Sequence, residues 1–279
     1  MRSQTTSPAP APNKVGSSRP DETQRLVIDH VTHRYLSKGV QVHALSDVDL
    51  VIEPGEFVCV AGPSGCGKTT LLQLLAGFLT PTEGAITIES QKITAPGPER
   101  GVAFQQPNLY PWLSVLGNVE FGPRLRGVDK STRQAVAHRY LEMVGLKDFA
   151  EQRPYELSGG MQQRCQIARV LANDPQIVLM DEPFGALDAL TRERLQFELF
   201  NIWRETHKTI FFITHSVDEA VFLGSRVIVM SARPGRIVFD EKADFSSEVG
   251  RKLGAELRTL PEFIALRDRV SRKIYESGG

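Results

Sequence analysis

Hydrophobic residues recur along the chain in short blocks, each running into a polar or glycine-rich turn. "EFVCVAG" leads into "PSGCGKTT", "GVAF" to Gln105, "IVLM" to Asp181 and "IFFIT" to His215. Short β-rich blocks alternating with helical stretches predict an α/β fold with a mostly parallel core sheet. In such sheets ligands gather beyond the carboxyl ends of the strands. Four blocks that each deliver polar residues at that edge therefore describe one site. Around them, "RLVIDHVTHRY", "VDLVIEPG" and "GAITIES" combine β-branched residues with partial alternation, which predicts an antiparallel β flank.

From about residue 107 to 157 the pattern turns helical: "KSTRQAVAHRYLEMVGL" spaces Ala135, Val136, Tyr140, Met143 and Val144 along one predicted face. A second amphipathic helix is expected near the C-terminus, where Phe263, Leu266, Val270 and Ile274 keep helical spacing. The first 24 residues are rich in Pro, Ala, Ser and Thr and read as a disordered tail without the apolar core of a signal peptide. The organisation expected is thus a tail over 1–24, a main domain over 25–245 with a helical subdomain at about 107–157, and a helical tail over 246–279.

Composition narrows the function classes. The 279 residues are 41% hydrophobic and 24% charged, as in ordinary globular proteins, and 33 basic residues balance 33 acidic ones. That neutrality gives no support to binding nucleic acid by bulk charge. No apolar run approaches the ~18 residues needed to span a bilayer. Cys59, Cys66 and Cys165 lack metal-like pairing and read as free thiols. His30, His33 and His43 match no tight ligand motif and read as strand-surface residues.

"GPSGCGKT" fits G-x-x-x-x-G-K-[ST], between an apolar strand and the helical run "TLLQLLAGF". Its glycines, Gly62, Gly65 and Gly67, let backbone N–H groups turn inward around phosphates, and the helix N-terminus adds positive potential. Pro63, Ser64, Cys66 and Thr70 complete the expected cradle. Lys68 supplies a point charge to the β- and γ-phosphates, and the Thr69 hydroxyl is a candidate Mg²⁺ ligand. With that loop upstream, Asp181 is the expected metal carboxylate, and Glu182 is placed to accept a proton from attacking water. Gln105 offers a neutral amide for the metal shell or the water, and His215 ends the neighbouring strand. Tyr35 is an aromatic on the flank, suited to stacking a base or to filling a strand edge.

A second glycine turn, "LSGGMQQR", opens a predicted helix whose apolar face holds Met161, Cys165, Ala168, Leu171 and Ala172. Ser158 is its candidate N-cap. Gly159 and Gly160 leave the first-turn N–H groups open to an anion, with no lysine or metal ligand beside them.

In order, "GPSGCGKTT", "FQQ", "LSGGMQQR", "IVLMDEP", "GALD" and "ITHS" resemble the nucleotide-binding subunits of ABC transporters, over about residues 25 to 240. Met161 stands where glutamine is more usual. The resemblance implies a P-loop NTPase fold of the ABC ATPase type, ATP and Mg²⁺ as cofactors, and a head-to-tail dimer with a second copy. In that dimer Ser158 and Gly160 would contact the γ-phosphate held by the partner's loop, and Asp188 of "GALD" would meet the partner near its loop. Tyr35 would stack on adenine, Gln105 sense Mg²⁺ and water, Glu182 act as general base and His215 contact the γ-phosphate. Leu109, Tyr110, Pro111 and Trp112, apolar for a loop, would line the groove that receives a transmembrane permease.

"APGPERGVAFQQ" and "SARPGRIV" are most similar to importers of taurine, alkanesulfonates and nitrate. This implies a peripheral protein on the cytoplasmic face of the inner membrane, served indirectly by a periplasmic or extracellular substrate-binding protein and not by nucleic acid. A soluble ABC ATPase of ribosomes or DNA usually carries two cassettes or a long coiled-coil insert, and neither is seen. A non-hydrolysing scaffold would not need the full polar set, and a small-molecule P-loop kinase would not need "LSGG". An exporter cassette is the other transport reading.

Overall fold

The computed structural model describes residues 25–37, 39–243, 245 and 254–278; the expected N-terminal tail lies outside the described residues. The chain opens with β1 (Leu26–Ser37), β2 (Val40–Ile52) and β3 (Phe57–Ala61), followed by α1 (Lys68–Ala76), β4 (Glu83–Ile88), β5 (Gln91–Lys92) and β6 (Arg100–Ala103). Three helices come next, α2 (Val115–Leu125), α3 (Lys130–Met143) and α4 (Gly159–Ala172). Then β7 (Ile177–Asp181), α5 (Ala189–Thr206), β8 (Thr209–Ile213), α6 (Val217–Leu223), β9 (Arg226–Met230) and β10 (Ile237–Lys242) complete the sheet, with α7 (Gly254–Leu257) and α8 (Pro261–Ser277) after them.

The central sheet runs β10-β9-β3-β8-β7-β6, parallel except for β10. The flank is an antiparallel sheet ordered β2-β1-β4-β5. Every residue of β3, β7 and β8 is buried, because both faces of the sheet are covered. The pleat divides them between two cores. Phe57, Cys59, Val178, Met180, Ile210 and Phe212 face the helical side, whereas Val58, Val60, Ile177, Leu179, Phe211 and Ile213 face α1 and the flank. All three cysteines are buried free thiols, and burial pushes the Cys165 thiol up to about 12.

The buried line of α3 is Ala137, Leu141 and, at its C-cap, Val144; Ala135 is exposed, and Val136, Tyr140 and Met143 are half-buried. The face read from sequence was thus rotated. Packing against α2 and α4 selects the 137–141–144 line and leaves Ala135 on the outer side. His33 also departs from its expected surface place: it is 8% exposed, packed 4.7 Å from the Tyr35 ring, and burial holds its imidazole below the ordinary range. His30 is exposed and bonded to Asp47, as a surface histidine should be.

Phe263, Leu266 and Val270 bury α8 in the same core as the helical side of the sheet, and Ile274 packs at its margin. At its far end the Ala232 N–H donates to the Ser277 carbonyl at 3.0 Å, so α8 reaches the turn after β9. That turn in turn sits under the phosphate loop: a Cβ on Gly235 would lie 2.0 Å from the Cys66 carbonyl oxygen. Phe263→Ala, at a fully buried site, is expected to destabilise the protein by about 3–5 kcal/mol in denaturant unfolding. Tyr275→Ala, at a site 87% exposed, should stay within about 0.5 kcal/mol.

Candidate functional site

Register brings the site together. Val60 and Asp181 both stand level with Ile213 of β8, and Ala103 is level with Met180. The residues that follow each strand therefore emerge at one edge. Tyr35, Ser64, Gly65, Gly67, Lys68, Thr69, Thr70, Gln105, Glu182 and His215 line a single cavity of about 370 Å³ there. Val42, Ala44 and Arg233 complete its wall.

The phosphate loop is shaped for an anion. Gly67 caps α1 in the left-handed region, with no side chain accepting from the first turn, and a Cβ there would meet Leu45 at 2.6 Å. Its first-turn N–H groups therefore face the cavity without a side-chain cap. Lys68 is 5% exposed, and its ammonium donates to the Gly62 carbonyl at 2.8 Å and to the Pro63 carbonyl at 3.0 Å. Among the described residues no carboxylate forms an ion pair with it, so it is a buried charge held on neutral oxygens. Gly62 and Pro63 hold this lysine instead of lining the cavity, and Cys66 packs beneath the loop.

Asp181 ends β7, 4% exposed, and its Oδ1 has no hydrogen-bond partner among the described residues. Burial pushes its carboxyl up, while a hydrogen bond from Thr69 and the nearby Lys68 charge pull the other way. Glu182 follows at φ 48, a left-handed conformation uncommon for glutamate, stabilised by a bond from its N–H to the Ile213 carbonyl at 3.0 Å. The turn aims its carboxylate across the strand ends. Oε1 lies 2.6 Å from His215 Nε2, and Oε2 accepts from Gln105 Nε2 at 3.3 Å. A carboxylate held between an imidazole and an amide, open to the cavity, can take a proton from a water bound there. Tyr35 places its hydroxyl 3.2 Å from Thr70 Oγ1 and is itself 37% exposed.

The second glycine turn does not join this cavity. The Ser158 hydroxyl caps α4, accepting from the Met161 N–H at 3.3 Å, and Gly159 has open space where a Cβ would lie. Gly160 lies against the Ala186 carbonyl, so the turn sits beside "GALD". Asp188 caps α5, accepting from the Thr191 N–H at 3.0 Å, and this bond holds its carboxyl below the ordinary range. Within one chain these residues form a second, separate exposed edge. A second cavity, of about 360 Å³, lies by the β4–β5 hairpin at the amino ends of β6 and β7 and contains none of the phosphate loop.

Two groups of polar residues escaped the sequence reading. Arg233 Nε donates to the Gly65 carbonyl at 2.9 Å, bringing a guanidinium to the loop's rim. The signal was present: "RVIVM" is another parallel strand, and Arg233 lies just past its carboxyl end. Gln166, wholly buried on α4, donates to the Phe104 carbonyl at 2.6 Å and accepts from the Asn108 N–H at 3.2 Å. Arg169 donates to the Asn108 carbonyl at 2.7 Å and lies over the Tyr110 ring. Helix α4 thereby holds the segment that carries Gln105. Tyr110 packs 4.5 Å from Phe121, and Leu109 packs on the core, whereas Trp112 is 68% exposed.

A family model described as ABC transporter matches residues 45–185. The taurine import ATP-binding protein TauB of Jannaschia sp. (strain CCS1) is 49% identical over 252 residues, covering 90% of this chain and 94% of that protein. The taurine import ATP-binding protein TauB of Roseobacter denitrificans (strain ATCC 33942 / OCh 114) is 48% identical with the same coverage. Among solved structures, the ATP-binding cassette MJ0796, in a dimeric post-hydrolysis state bound to ADP and Pi, superposes with a TM-score of 0.71 at 35% identity, covering 78% of this chain and 99% of that one. Motif order, strand register and these likenesses agree: the chain belongs to the ABC transporter family.

Proposed function

We propose that this chain is the ATP-hydrolysing subunit of a membrane importer for taurine or a related small sulfonate. The observation that carries the catalytic part is the convergence of Lys68, Thr69, Gln105, Glu182 and His215 on one cavity. The import reading rests on the taurine importers named above, nearly half identical over most of the chain.

ATP lies with its β- and γ-phosphates in the loop 62–70, where Lys68 exchanges two carbonyl oxygens for phosphate. Tyr35 and Val42 flank the base, and the Arg233 guanidinium adds positive charge at the rim. The buried, unpartnered Asp181 Oδ1 beside Thr69 suits a hard cation that takes oxygen ligands. Thr69, Asp181 and Gln105 would hold Mg²⁺, which neutralises charge on the β- and γ-phosphates when bound. Glu182 accepts the proton of the attacking water, oriented by Gln105, and His215 steadies Glu182 and contacts the γ-phosphate.

The exposed edge at Ser158, Gly160 and Asp188 completes the cavity of a second copy, so two chains pack head to tail around two ATP molecules. Among the described residues no helix is long and apolar enough to cross a membrane. Attachment comes through permease subunits seated at Tyr110 and Trp112, on the helical side that α4 ties to Gln105.

Glu182→Gln is expected to keep ATP affinity and to lower kcat by about 10²–10⁴-fold, measured by phosphate release; wild-type turnover would remove Glu182 as the base. Purified from its own cells in mild detergent with ATP and Mg²⁺, that variant should bring two copies of itself with a hydrophobic permease, and adding Trp112→Ala should lose the permease. Ser158→Arg and Lys68→Ala should each abolish turnover alone. Their equimolar mixture should recover part of it, since a mixed dimer holds one intact site; no recovery would count against completion in trans.

A further inference from the structure

The turn that presents His215 is tied to a buried carboxylate outside the nucleotide cavity. Glu219, on α6, is 6% exposed. One carboxylate oxygen accepts the Thr214 hydroxyl, and the other accepts from Gln196 Nε2 at 2.8 Å. Thr214 is 3% exposed, and its hydroxyl oxygen also accepts the Ser216 N–H at 3.0 Å. The Ser216 hydroxyl closes the ring by accepting the Glu219 N–H at 3.3 Å. His215 is thus bracketed on both sides by residues bonded to Glu219.

A purely helix-capping glutamate would not need this arrangement. In a capping box the glutamate reaches back to the N–H of the cap residue itself. Here the cap is Ser216, and the Thr214 hydroxyl stands between its N–H and Glu219. The carboxylate is spent on the residue before His215. Keeping it there carries a desolvation penalty, and burial pushes its carboxyl up. Gln196, 3% exposed, links Glu219 onward to Arg258, which donates at 3.3 Å to its amide oxygen and at 3.3 Å to Glu193. Glu182, Arg192, Thr214, His215 and Glu219 all border one cavity of about 140 Å³ behind the catalytic edge.

We propose that Glu219 is a positioning residue for ATP hydrolysis: through Thr214 and Ser216 it fixes the turn that aims His215 Nε2 at Glu182. This rests on the role given above to the Glu182–His215 pair. Removing the anchor lets the imidazole swing off Glu182 while Lys68, Thr69 and the rest of the phosphate loop keep the bulk of the hold on ATP, so the loss falls mainly on kcat.

The test uses the full-length chain with Glu219→Gln, Thr214→Val and Thr214→Ser, each in the wild-type and His215→Ala backgrounds. Measured are kcat, KM, ATP affinity and thermal midpoint. Glu219→Gln and Thr214→Val should lower kcat about tenfold or more, with KM and ATP affinity within about twofold, and Thr214→Ser should retain most of what Thr214→Val loses. In the His215→Ala background neither should lower kcat further, because groups acting through one residue are not additive. Wild-type kcat in Glu219→Gln, losses that follow ATP affinity or the thermal midpoint, or losses that multiply with His215→Ala would each overturn the inference. Full activity in His215→Ala alone would instead overturn the role of His215, and this inference with it.

Discussion

The alignment that sets Val60, Asp181 and Ile213 level is the constraint from which the rest follows. These strands bury both faces, and successive residues belong to different cores. A slip of one residue would exchange those faces and at the same stroke move Asp181 and Glu182 off the edge where Lys68 waits. Hydrophobic packing thus specifies the geometry of the cavity edge. No separate device is required to bring Gln105, Glu182 and His215 to one cavity, because each follows a strand whose register is already fixed.

On that edge the charges are arranged for a ligand that brings both signs. Lys68 rests on loop carbonyls, neutral acceptors that a phosphate can replace with gain. Asp181 keeps an oxygen without a partner in a place where burial disfavours its charge. Separately each is an imperfectly compensated buried group; a triphosphate with its cation would satisfy both. Glu182 differs, being already engaged with His215 and Gln105 and still facing the cavity.

Much of this was legible in the sequence because strand-end chemistry is local: an apolar block and the polar residue after it sit within a few positions. The parallel core was read from those blocks, and the antiparallel flank from the partly alternating β-branched stretches around them. Arg233 was missed because its strand was not counted among those that build the edge. Gln166 and Arg169 were missed for another reason: a glutamine on a helix reveals nothing of the carbonyl it will reach, and Phe104 is brought to it only by packing. The face of α3 was misjudged since tertiary contact, not intrinsic periodicity, chose between two neighbouring stripes. His33 looked like a surface residue because strand alternation is broken by the register shifts of β1 near it.

Helix α8 touches the turn after β9, and that turn supports the phosphate loop from below. During synthesis the loop and α1 leave the ribosome long before α8 does. The nascent chain therefore carries its phosphate motif unbraced for most of translation. That support arrives only once β9 has been made and paired with β3, so the nucleotide cradle is assembled from segments far apart in the order of synthesis.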